Sequence, residues 1–356
     1  MKSNASQIRV LMCCSSLDVK GGMVSVVKNY LSYPDWDEFN IDFVPTHVPG
    51  NKVRVAVHFA LTLPKIRHML RKHEVDLVHL HVAERGSFWR KAMIAEEAKK
   101  NGIPVVFHHH AAEFEPFFAG LSPDAQEKVE KVCNDVDVNL VLSDSIKHAM
   151  EQHFPNACFK VLYNAVPTYG RNLYNPDADT IVFMGRLGER KGTFDLIKAF
   201  STVAFRIDSK YHVALCGDGD IETARNQIDE LGLSDRIACL GWVDSEQRER
   251  ILNDAVLNVL PSYNEGLPMS ILEAMAHGIP TVSTNIAAIP EVVQSGVNGV
   301  LIEPGDIDAL GDALTSLLDD ADDRKQMSEA AFDLIESTYS LDAHMKQVKE
   351  LYQSLC

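Results

Sequence analysis

The chain has 356 residues, of which 46% are hydrophobic and 24% charged, a balance typical of a globular protein with two domains. Its net charge of −16 argues against general nucleic-acid binding, and its apolar runs are too short to cross a bilayer. Seven cysteines without a C-x-x-C pair are an odd number for a disulfide framework, and the chain starts without an apolar signal segment. We therefore expect a reduced, cytoplasmic protein without a nucleic-acid partner.

The charge is unevenly distributed along the chain. Residues 1–170 contain as many acidic as basic side chains, whereas residues 171–356 carry the whole net charge of −16. This asymmetry predicts two bodies with different partners.

The first half alternates short apolar runs with amphipathic segments, which predicts a parallel sheet covered by helices on both faces. Runs rich in β-branched residues predict strands, and segments with helical spacing predict helices. The predicted strands are residues 8–14, 41–44, 75–82, 103–108 and 138–142. The predicted helices are residues 23–31, 53–72, 87–100, 122–133 and 145–153.

The alternation breaks at residues 164–179, where asparagine, proline and glycine predict an interdomain linker or hinge. It then restarts, which predicts a second doubly wound domain and a ligand cleft between the two. We place the domains at residues 1–167 and 168–340, with residues 341–356 as a helix that packs back on the first domain. The other predicted elements are strands at residues 180–185, 212–217, 236–240, 256–260, 280–283 and 300–303, and helices at residues 307–318, 323–337 and 341–355.

The stretch NEGLPMSILEAMA contains two glutamates, Glu265 and Glu273. On one continuous helix their side chains would lie roughly 80° apart, so Glu265 is predicted in the loop before the helix. Pro268 suits the first helical position, and Gly278 suits the position after the last turn. The amides of residues 267–270 then face an anion, while the carboxylates suit the hydroxyls of a sugar or ribose. An arbitrary pair at this spacing is more often one solvated loop residue and one helix residue.

The stretch FMGRLGERKGT turns on Gly185 and Gly188 and brings Arg186 and Lys191 to the start of the next predicted helix. Two cations at this position suit a diphosphate. A solvated loop explains the pair equally well by itself, but the adjacent anion-binding helix favours the diphosphate.

Gly21 and Gly22 follow the first predicted strand and open a helix, where glycine lets a phosphate approach the backbone. A plain turn explains the two glycines about as well. The full G-x-G-x-x-G is absent, which counts against a dinucleotide dehydrogenase.

His108, His109 and His110 end the fourth predicted strand, and His79 and His81 end the third. Alternation directs His108 and His110 to one side of the sheet and His109 to the other. A zinc site is one interpretation, but no cysteine or carboxylate completes it. We favour histidines that hydrogen-bond, one of which reaches towards a substrate.

Residues 52–72 contain six Lys or Arg residues and no acidic residue, interleaved with apolar side chains. The simpler interpretation is a core-facing helix with a solvated basic face. In so acidic a protein, a basic amphipathic segment also suggests contact with an anionic membrane.

The motifs GRLGERKG, LCGDGD, GWV, LPSYNEGLPMSILEAMAHGIPTVST, IPEVV and NGVLIEPGD follow one another through the second half of the chain. In this order they resemble the family 4 retaining glycosyltransferases. The first half matches more loosely, through the Gly21–Gly22 turn, residues 108–114 and Asn164. The resemblance implies the GT-B fold, in which two doubly wound Rossmann-like α/β domains face each other across a cleft.

The resemblance also implies an activity. The enzyme would transfer a sugar from a nucleotide sugar, with a UDP-sugar favoured, to a glycan or lipid-linked acceptor in cell-surface polysaccharide synthesis. It would need no metal or other cofactor. The cytoplasmic protein would work at the inner face of the cell membrane if residues 52–72 contact lipid.

Individual roles follow from the same resemblance. Arg186 and Lys191 would bind the donor diphosphate, Glu265 the transferred sugar and Glu273 the ribose hydroxyls. His110 would stand near the reacting centre. The implied donor site comprises Gly21, Gly22, Gly185, Asn264, Gly266, Leu267, Pro268, Met269, Ser270 and Glu273.

The sequence departs from the family at two positions. Family members have glycine after the active-site histidine and after the asparagine, where this chain has Ala111 and Ala165. Because three histidines are consecutive, His108 is a rival to His110.

Two other classes of function would use a similar cleft. A GT-B-like sugar-nucleotide epimerase or phosphorylase would form product without an added acceptor or depend on inorganic phosphate. A noncatalytic nucleotide-sugar-binding protein would bind the donor without turnover. The complete set of cations and both glutamates favours transfer.

Overall fold

The structure is a computed structural model that describes residues 7–36, 38–110 and 113–356. The chain forms two compact units: one comprises Met1–Asn164 with His344–Cys356, and the other comprises Ala165–Ala343. The predicted boundaries at residues 167 and 340 lie three residues from these. Within the described ranges, no helix has the length and apolar character needed to span a membrane.

The first unit is built on a parallel sheet of six strands with flanking helices, in the order β2-β1-β3-β4-β5-β6. Its strands are β1 (Ile8–Ser15), β2 (Phe39–His47), β3 (Leu77–Val82), β4 (Val105–His109), β5 (Val138–Val141) and β6 (Phe159–Val161). Its helices are α1 (Gly22–Ser32), α2 (Lys52–Arg71), α3 (Gly86–Lys100), α4 (Phe114–Ala119), α5 (Pro123–Asp135) and α6 (Asp144–His153). All predicted elements are confirmed, whereas β6 and α4 were not predicted.

The second unit is built on another parallel six-stranded sheet, in the order β12-β11-β10-β7-β8-β9. Its strands are β7 (Thr180–Met184), β8 (His212–Cys216), β9 (Ile237–Gly241), β10 (Ala255–Leu260), β11 (Thr281–Thr284) and β12 (Gly299–Ile302). Its helices are α7 (Thr193–Val203), α8 (Ile221–Glu230), α9 (Ser245–Asn253), α10 (Met269–Ala276), α11 (Ile307–Asp319) and α12 (Ala321–Leu334), and α13 (Leu341–Leu355) ends the chain. The predicted strands and closing helices are confirmed.

The central strands of the second sheet are mostly apolar and are buried along their whole length. Every residue of β7 (TIVFM) and β10 (AVLNVL) is buried, whereas burial alternates along the edge strand β9. Continuous apolar runs are typical of parallel strands covered on both faces. This burial pattern confirms the doubly wound architecture predicted for this half.

The irregular segment after the first unit belongs to the second. Val166 bridges to Ser340, and the Tyr174 hydroxyl donates to the carbonyl of Val256 at 3.2 Å. Arg324, which is 2% exposed, donates to the Tyr174 hydroxyl at 3.2 Å. The segment predicted as a linker therefore packs on the second unit over much of its length.

Most of α13 packs on the first unit. Its Tyr352 is fully buried, with the hydroxyl 2.5 Å from Nδ1 of His79. His344 of the same helix has Nε2 2.8 Å from the Tyr30 hydroxyl. These contacts attach residues 344–356 to the first unit, with which they form one compact body.

Candidate functional site

The order of strands in the second unit reverses between β7 and β10. In open α/β sheets, ligands bind at this switch point, beyond the carboxyl ends of the strands. The loops that leave the two strands are residues 185–192 and 261–268. They contain most of the residues predicted to bind the donor.

The two loops pack closely against each other. Gly192 has φ 68°, and a Cβ atom there would lie 2.0 Å from the carbonyl oxygen of Pro261. The amide of Tyr263 donates to the carbonyl of Arg190 at 2.9 Å, and Nη1 of Arg190 donates to the carbonyl of Asn264 at 3.2 Å. Glycine at position 192 is therefore required by both its backbone angle and its close neighbour.

Lys191 and Glu265 form an ion pair across these loops. The ammonium of Lys191 contacts Oε1 of Glu265, and the Ser262 hydroxyl donates to the same oxygen at 2.7 Å. The side chains are 14% and 6% exposed, so the pair is largely removed from water. Among the described residues, no side chain donates to Oε2 of Glu265, which leaves this oxygen available to a ligand hydroxyl.

Glu265 precedes the helix, as predicted, but Pro268 is one position earlier than predicted. It is the N-cap of α10, with ψ 123°, and Met269 is the first helical residue. The extended ψ angle starts the helix one residue later than the proline rule suggests. Because proline has no side-chain acceptor, the first amides of α10, including those of Met269 and Ser270, have no N-cap side chain to bind.

The other predicted donor-loop residues differ in their exposure. Gly266, Leu267 and Met269 are buried, and Asn264 and Ser270 are half-buried. The amide of Gly185 donates to the carbonyl of Cys216 at 2.9 Å, which fixes the start of its loop.

Arg186 lies apart from the ion pair. Its side chain is 67% exposed, and Nη1 lies 3.8 Å from Oδ1 of Asp218, beyond hydrogen-bond distance. Among the described residues, no carboxylate holds it as closely as Glu265 holds Lys191. Of the two cations predicted to bind the diphosphate, Lys191 is therefore paired and largely buried, whereas Arg186 is exposed.

Glu273 is held by an arginine from another helix. Nη1 of Arg248, in α9, donates to Oε1 of Glu273 at 2.8 Å. Burial raises the pKa of Glu273 to about 7, and the charge of Arg248 opposes this rise. Sequence analysis missed Arg248, since no local pattern links it to a glutamate 25 positions away.

A second layer lies beside this glutamate. Nδ1 of His277 is 2.9 Å from the Glu273 carbonyl oxygen, and its Nε2 is 3.2 Å from a carboxylate oxygen of Glu249. The Tyr169 hydroxyl donates to Glu249 at 2.8 Å. Sequence analysis also missed His277, Glu249 and Tyr169. It likewise missed Ser262 and Arg190, which lie in the two loops near Glu265.

The first unit presents its two predicted glycines at the start of α1. Gly21 is the N-cap, with φ 139°, and Gly22 is the first helical residue. A Cβ atom at Gly21 would have no neighbour within 4 Å, so the space beside it is open. The helix has no side-chain cap, which leaves its first amides accessible.

Histidines from β3 and β4 form a stack beneath α13. His81 lies opposite His108 in the sheet, and Nδ1 of His81 is 2.9 Å from Nε2 of His110. Nε2 of His79 is 3.3 Å from Nδ1 of His108. His109 points to the other face, 3.1 Å from Asn139, which confirms the predicted alternation.

The two candidate histidines differ in exposure. His108 is fully buried, whereas His110 is half-buried. Burial, assisted by the neighbouring imidazoles, lowers the pKa of His110 to about 3, so its ring is neutral near pH 7. Ala111 lies outside the described residues, and Ala165 is buried.

The same stack contains a possible set of metal ligands. His79, His81 and His108 each offer a ring nitrogen within 4.8 Å of the others. Ligand nitrogens around tetrahedral zinc would lie roughly 3.3 Å apart, which follows from the usual Zn–N distance. The described hydrogen bonds already use some of these nitrogens, and the absence of a metal requirement stays a prediction.

Comparison with known proteins extends over nearly the whole chain. Residues 10–169 match the description Glycosyltransferase Family 4, and residues 170–333 match Glycosyl transferases group 1. An N-acetyl-alpha-D-glucosaminyl L-malate synthase of Bacillus anthracis is 25% identical over 81% of this chain and 77% of its own length. A D-inositol 3-phosphate glycosyltransferase of Corynebacterium urealyticum is 35% identical over 50% of this chain, which spans only 43% of that protein.

Solved structures share the fold. A sucrose-phosphate synthase from Thermosynechococcus elongatus has a TM-score of 0.77 at 15% identity, covering 98% of this chain and 99% of that one. Anabaena HepE, solved with UDP and glucose, has a TM-score of 0.76 at 19% identity, covering 98% and 100%. With two Rossmann-like domains of the GT-B type, and with family matches that follow each other along the sequence, the protein belongs to the family 4 glycosyltransferases.

Proposed function

We propose that the protein is a retaining glycosyltransferase that moves a sugar from a UDP-sugar to a glycan or lipid-linked acceptor without a metal ion. The carrying observation is the buried pair of Lys191 and Glu265 beside the uncapped N-terminus of α10. A cation and free amides suit a diphosphate, and a carboxylate with one open oxygen suits the transferred sugar. Solved HepE contains UDP-glucose, which favours a UDP-sugar as the donor.

Each role follows from the chemistry of the leaving group. Breaking the bond between the anomeric carbon and the diphosphate builds negative charge, which Lys191, Arg186 and the α10 amides would neutralise. Glu273 would accept hydrogen bonds from the ribose hydroxyls. The acceptor oxygen would bond to the anomeric carbon on the face from which the diphosphate leaves. The leaving phosphate would take the proton of the acceptor hydroxyl.

A histidine near the reacting centre remains part of the proposal. The half-buried His110 suits that role better than the fully buried His108. A neutral imidazole donates one hydrogen bond and accepts another, so it would orient hydroxyl groups without adding charge.

The proposal includes an anionic membrane surface as partner. On α2, Val53, Val57 and Leu61 are 70%, 53% and 74% exposed and recur every fourth residue along one stripe. Arg67 and Arg71 pair with Glu97. Four further cations belong to α2 or its C-cap, namely Lys52, Arg54, Lys65 and Lys72. Among the described residues, none of these four forms an ion pair. An exposed apolar stripe with free cations suits the inner face of the cell membrane, where surface polysaccharides would be assembled.

The deciding experiment has two stages. Nucleotide sugars are first screened for thermal stabilisation of the protein, with and without EDTA, because a bound ligand raises the unfolding temperature. The stabilising donor is then tested for transfer to candidate acceptors. Stabilisation and acceptor-dependent transfer, both unaffected by EDTA, support the proposal.

Other outcomes support the alternatives. Product without an added acceptor, or turnover that needs inorganic phosphate, would favour an epimerase or a phosphorylase. Stabilisation without any turnover would favour a noncatalytic binding protein. Loss of stabilisation with EDTA would contradict the metal-independent part of the proposal.

A further inference from the structure

The first unit contains a cavity of about 660 Å³ between α2 and α3, next to the end of β2. One side is apolar and is formed by Val55, Ala56, Phe59, Ala60, Leu63 and Met93. The polar lining residues are His47, Lys52, Ser87 and Arg90. The volume is in the range of small-molecule sites, which typically measure about 300–1,000 Å³.

Two neighbouring cations of α3 have no carboxylate partner in the described part of the chain: Arg90, which lines the cavity, and Lys91, which is buried behind the lining residue Ser87. Among the residues that the structure describes, Arg90 forms no ion pair, and its Nε is buried without a hydrogen-bond partner. Lys91 is fully buried, and its ammonium donates to the hydroxyl of Ser87 at 3.1 Å. Lys99 on the same helix, by contrast, contacts Asp137. Because buried cations are costly without a counter-ion, this pair is suited to receive one from a ligand.

Neighbouring titratable groups are neutral and supply no counter-charge to the two cations. Nδ1 of His47 is buried without a partner, and burial together with the charges of Arg90 and Lys91 lowers its pKa. Burial raises the pKa values of Cys13 and Cys14, beside Lys91, to about 12 and about 11, so both thiols are neutral.

The helix that carries both cations also begins at the cavity. Gly86, the first residue of α3, lies at its edge, and Nη1 of Arg90 would lie 3.2 Å from a Cβ atom there. The N-cap residue, Arg85, provides no side-chain cap, and the amide of Ser87 donates to the Glu84 carbonyl at 3.3 Å, so the amide of Gly86 at the cavity edge is left for another acceptor.

We propose that this cavity is a subsite for an acceptor that carries a phosphate or carboxylate group on an apolar body. This inference rests on the proposed function, because it assigns the cavity to the acceptor of the transfer. The anionic group binds Arg90 and the start of α3, the buried charge of Lys91 attracts it from behind Ser87, and the apolar body lies against α2. A soluble phosphate ester and a lipid phosphate share this chemistry, and they differ in the size of the apolar part.

Calorimetry on the full chain tests the subsite without a nucleotide sugar. The probes are octyl phosphate, glycerol phosphate and uncharged octyl glucoside. We expect octyl phosphate to bind most tightly, because it alone fills both sides of the cavity. If glycerol phosphate binds as tightly as octyl phosphate, the site is assigned to soluble phosphate esters, and the proposed contact of an apolar body with α2 is overturned. Octyl glucoside binding as tightly would overturn the anionic part.

Matched variants locate the site. Arg90→Gln is expected to weaken octyl phosphate binding by about tenfold to a hundredfold, because a charge-assisted hydrogen bond is lost. Lys100→Gln removes the same charge from the same helix about 15 Å away and leaves the affinity unchanged. Ala60→Phe, at an exposed lining position, fills the apolar side and also weakens binding. Thermal unfolding establishes that each variant is folded.

The two proposals fail separately. Equal affinity of wild type and Arg90→Gln for octyl phosphate, or no binding to wild type, overturns the subsite even if transfer is observed. Absence of transfer with every nucleotide sugar overturns the proposed function, whereas binding that depends on Arg90 and the octyl chain still upholds the cavity as an anion site.

Discussion

The ammonium of Lys191 contacts the carboxylate of Glu265, although 74 positions separate the two residues in the sequence. Each residue lies in a loop that follows a strand at the switch point of the second sheet. The Ser262 hydroxyl donates to the same oxygen of Glu265 that Lys191 contacts. The cation proposed for the diphosphate therefore already binds the carboxylate proposed for the sugar. A bound donor would lie against both members of one ion pair.

Removing the cation tests this relationship. Lys191→Ala is expected to lower kcat/KM by about a hundredfold or more, because charge on the leaving diphosphate loses its nearest buried cation. The fold is expected to survive, since Ser262 still donates to Glu265. Circular dichroism and thermal unfolding establish folding, and Lys198→Ala, an exposed lysine on α7, serves as the control. Near-normal turnover in Lys191→Ala would refute its role.

Glu273 is expected to make donor binding depend on pH. Folding raises its pKa from 4.5 to about 7, so the carboxylate becomes protonated as pH falls through about 7. Since the ionised form accepts ribose hydroxyls better, UDP affinity should rise with pH up to about 7 and level off above it, with a limiting slope of about tenfold per pH unit. Glu273→Ala is expected to abolish transfer with the fold intact.

Calorimetry from about pH 6 to about pH 8 measures this dependence. Glu273→Gln is the control, because it keeps the titration of the diphosphate itself and loses only that of the carboxylate. The same pH profile in wild type and Glu273→Gln would contradict the assignment.

Arg248 is expected to set the pH at which this change occurs. Its charge opposes the rise in the pKa of Glu273, so Arg248→Met should raise that pKa further. The midpoint of UDP affinity then moves to higher pH. Arg250→Met, on the same helix but bound to the exposed Glu246, should leave the midpoint unchanged. An unmoved midpoint in Arg248→Met would mean that this arginine does not act on Glu273.

Substituting two glycines of the second unit distinguishes the cost of backbone strain from the cost of steric overlap. Gly192 and Gly232 have φ 68° and 67°, but only Gly192 faces a close neighbour, the Pro261 carbonyl oxygen. Gly232→Ala is expected to cost about 1 kcal/mol for the left-handed angle, and Gly192→Ala about 3 kcal/mol or more, because the loops must also move apart. Thermal unfolding compares the two variants. Equal losses would mean that the loop contact at Gly192 is not rigid.

The exposed stripe of α2 is expected to bind anionic vesicles. The wild-type protein should cosediment with them and not with zwitterionic ones, since each cation near an anionic surface contributes about 1 kcal/mol. Changing Val53, Val57 and Leu61 to serine, or the four unpaired cations to glutamine, should reduce the bound fraction. Phe205→Ser, which removes an 83% exposed side chain from the second unit, is the control. Binding that neither set of changes reduces would exclude this surface.

Sequence periodicity predicted the long elements well and missed the shortest strand and the shortest α-helix. Strand β6 has three residues and α4 has six, too few for alternation or helical spacing to appear. β6 pairs with β5, and this pairing rather than its own sequence defines it as a strand. Pro268 was placed one residue too far into its helix, because its φ angle suits both positions and only ψ distinguishes them.

The sequence by itself determined the two α/β halves, the loop position of Glu265 and the glycine-rich turns, because these depend on the order of neighbouring residues. Only the tertiary structure decided which charges meet: Lys191 with Glu265, Arg248 with Glu273, and Arg90 and Lys91 with no carboxylate. Such pairings depend on which strands and helices become neighbours when the sheet forms. Burial then distinguishes a charged side chain that water solvates from one that needs a partner or a ligand. Burial is a property of the assembled fold and cannot be read from neighbouring residues.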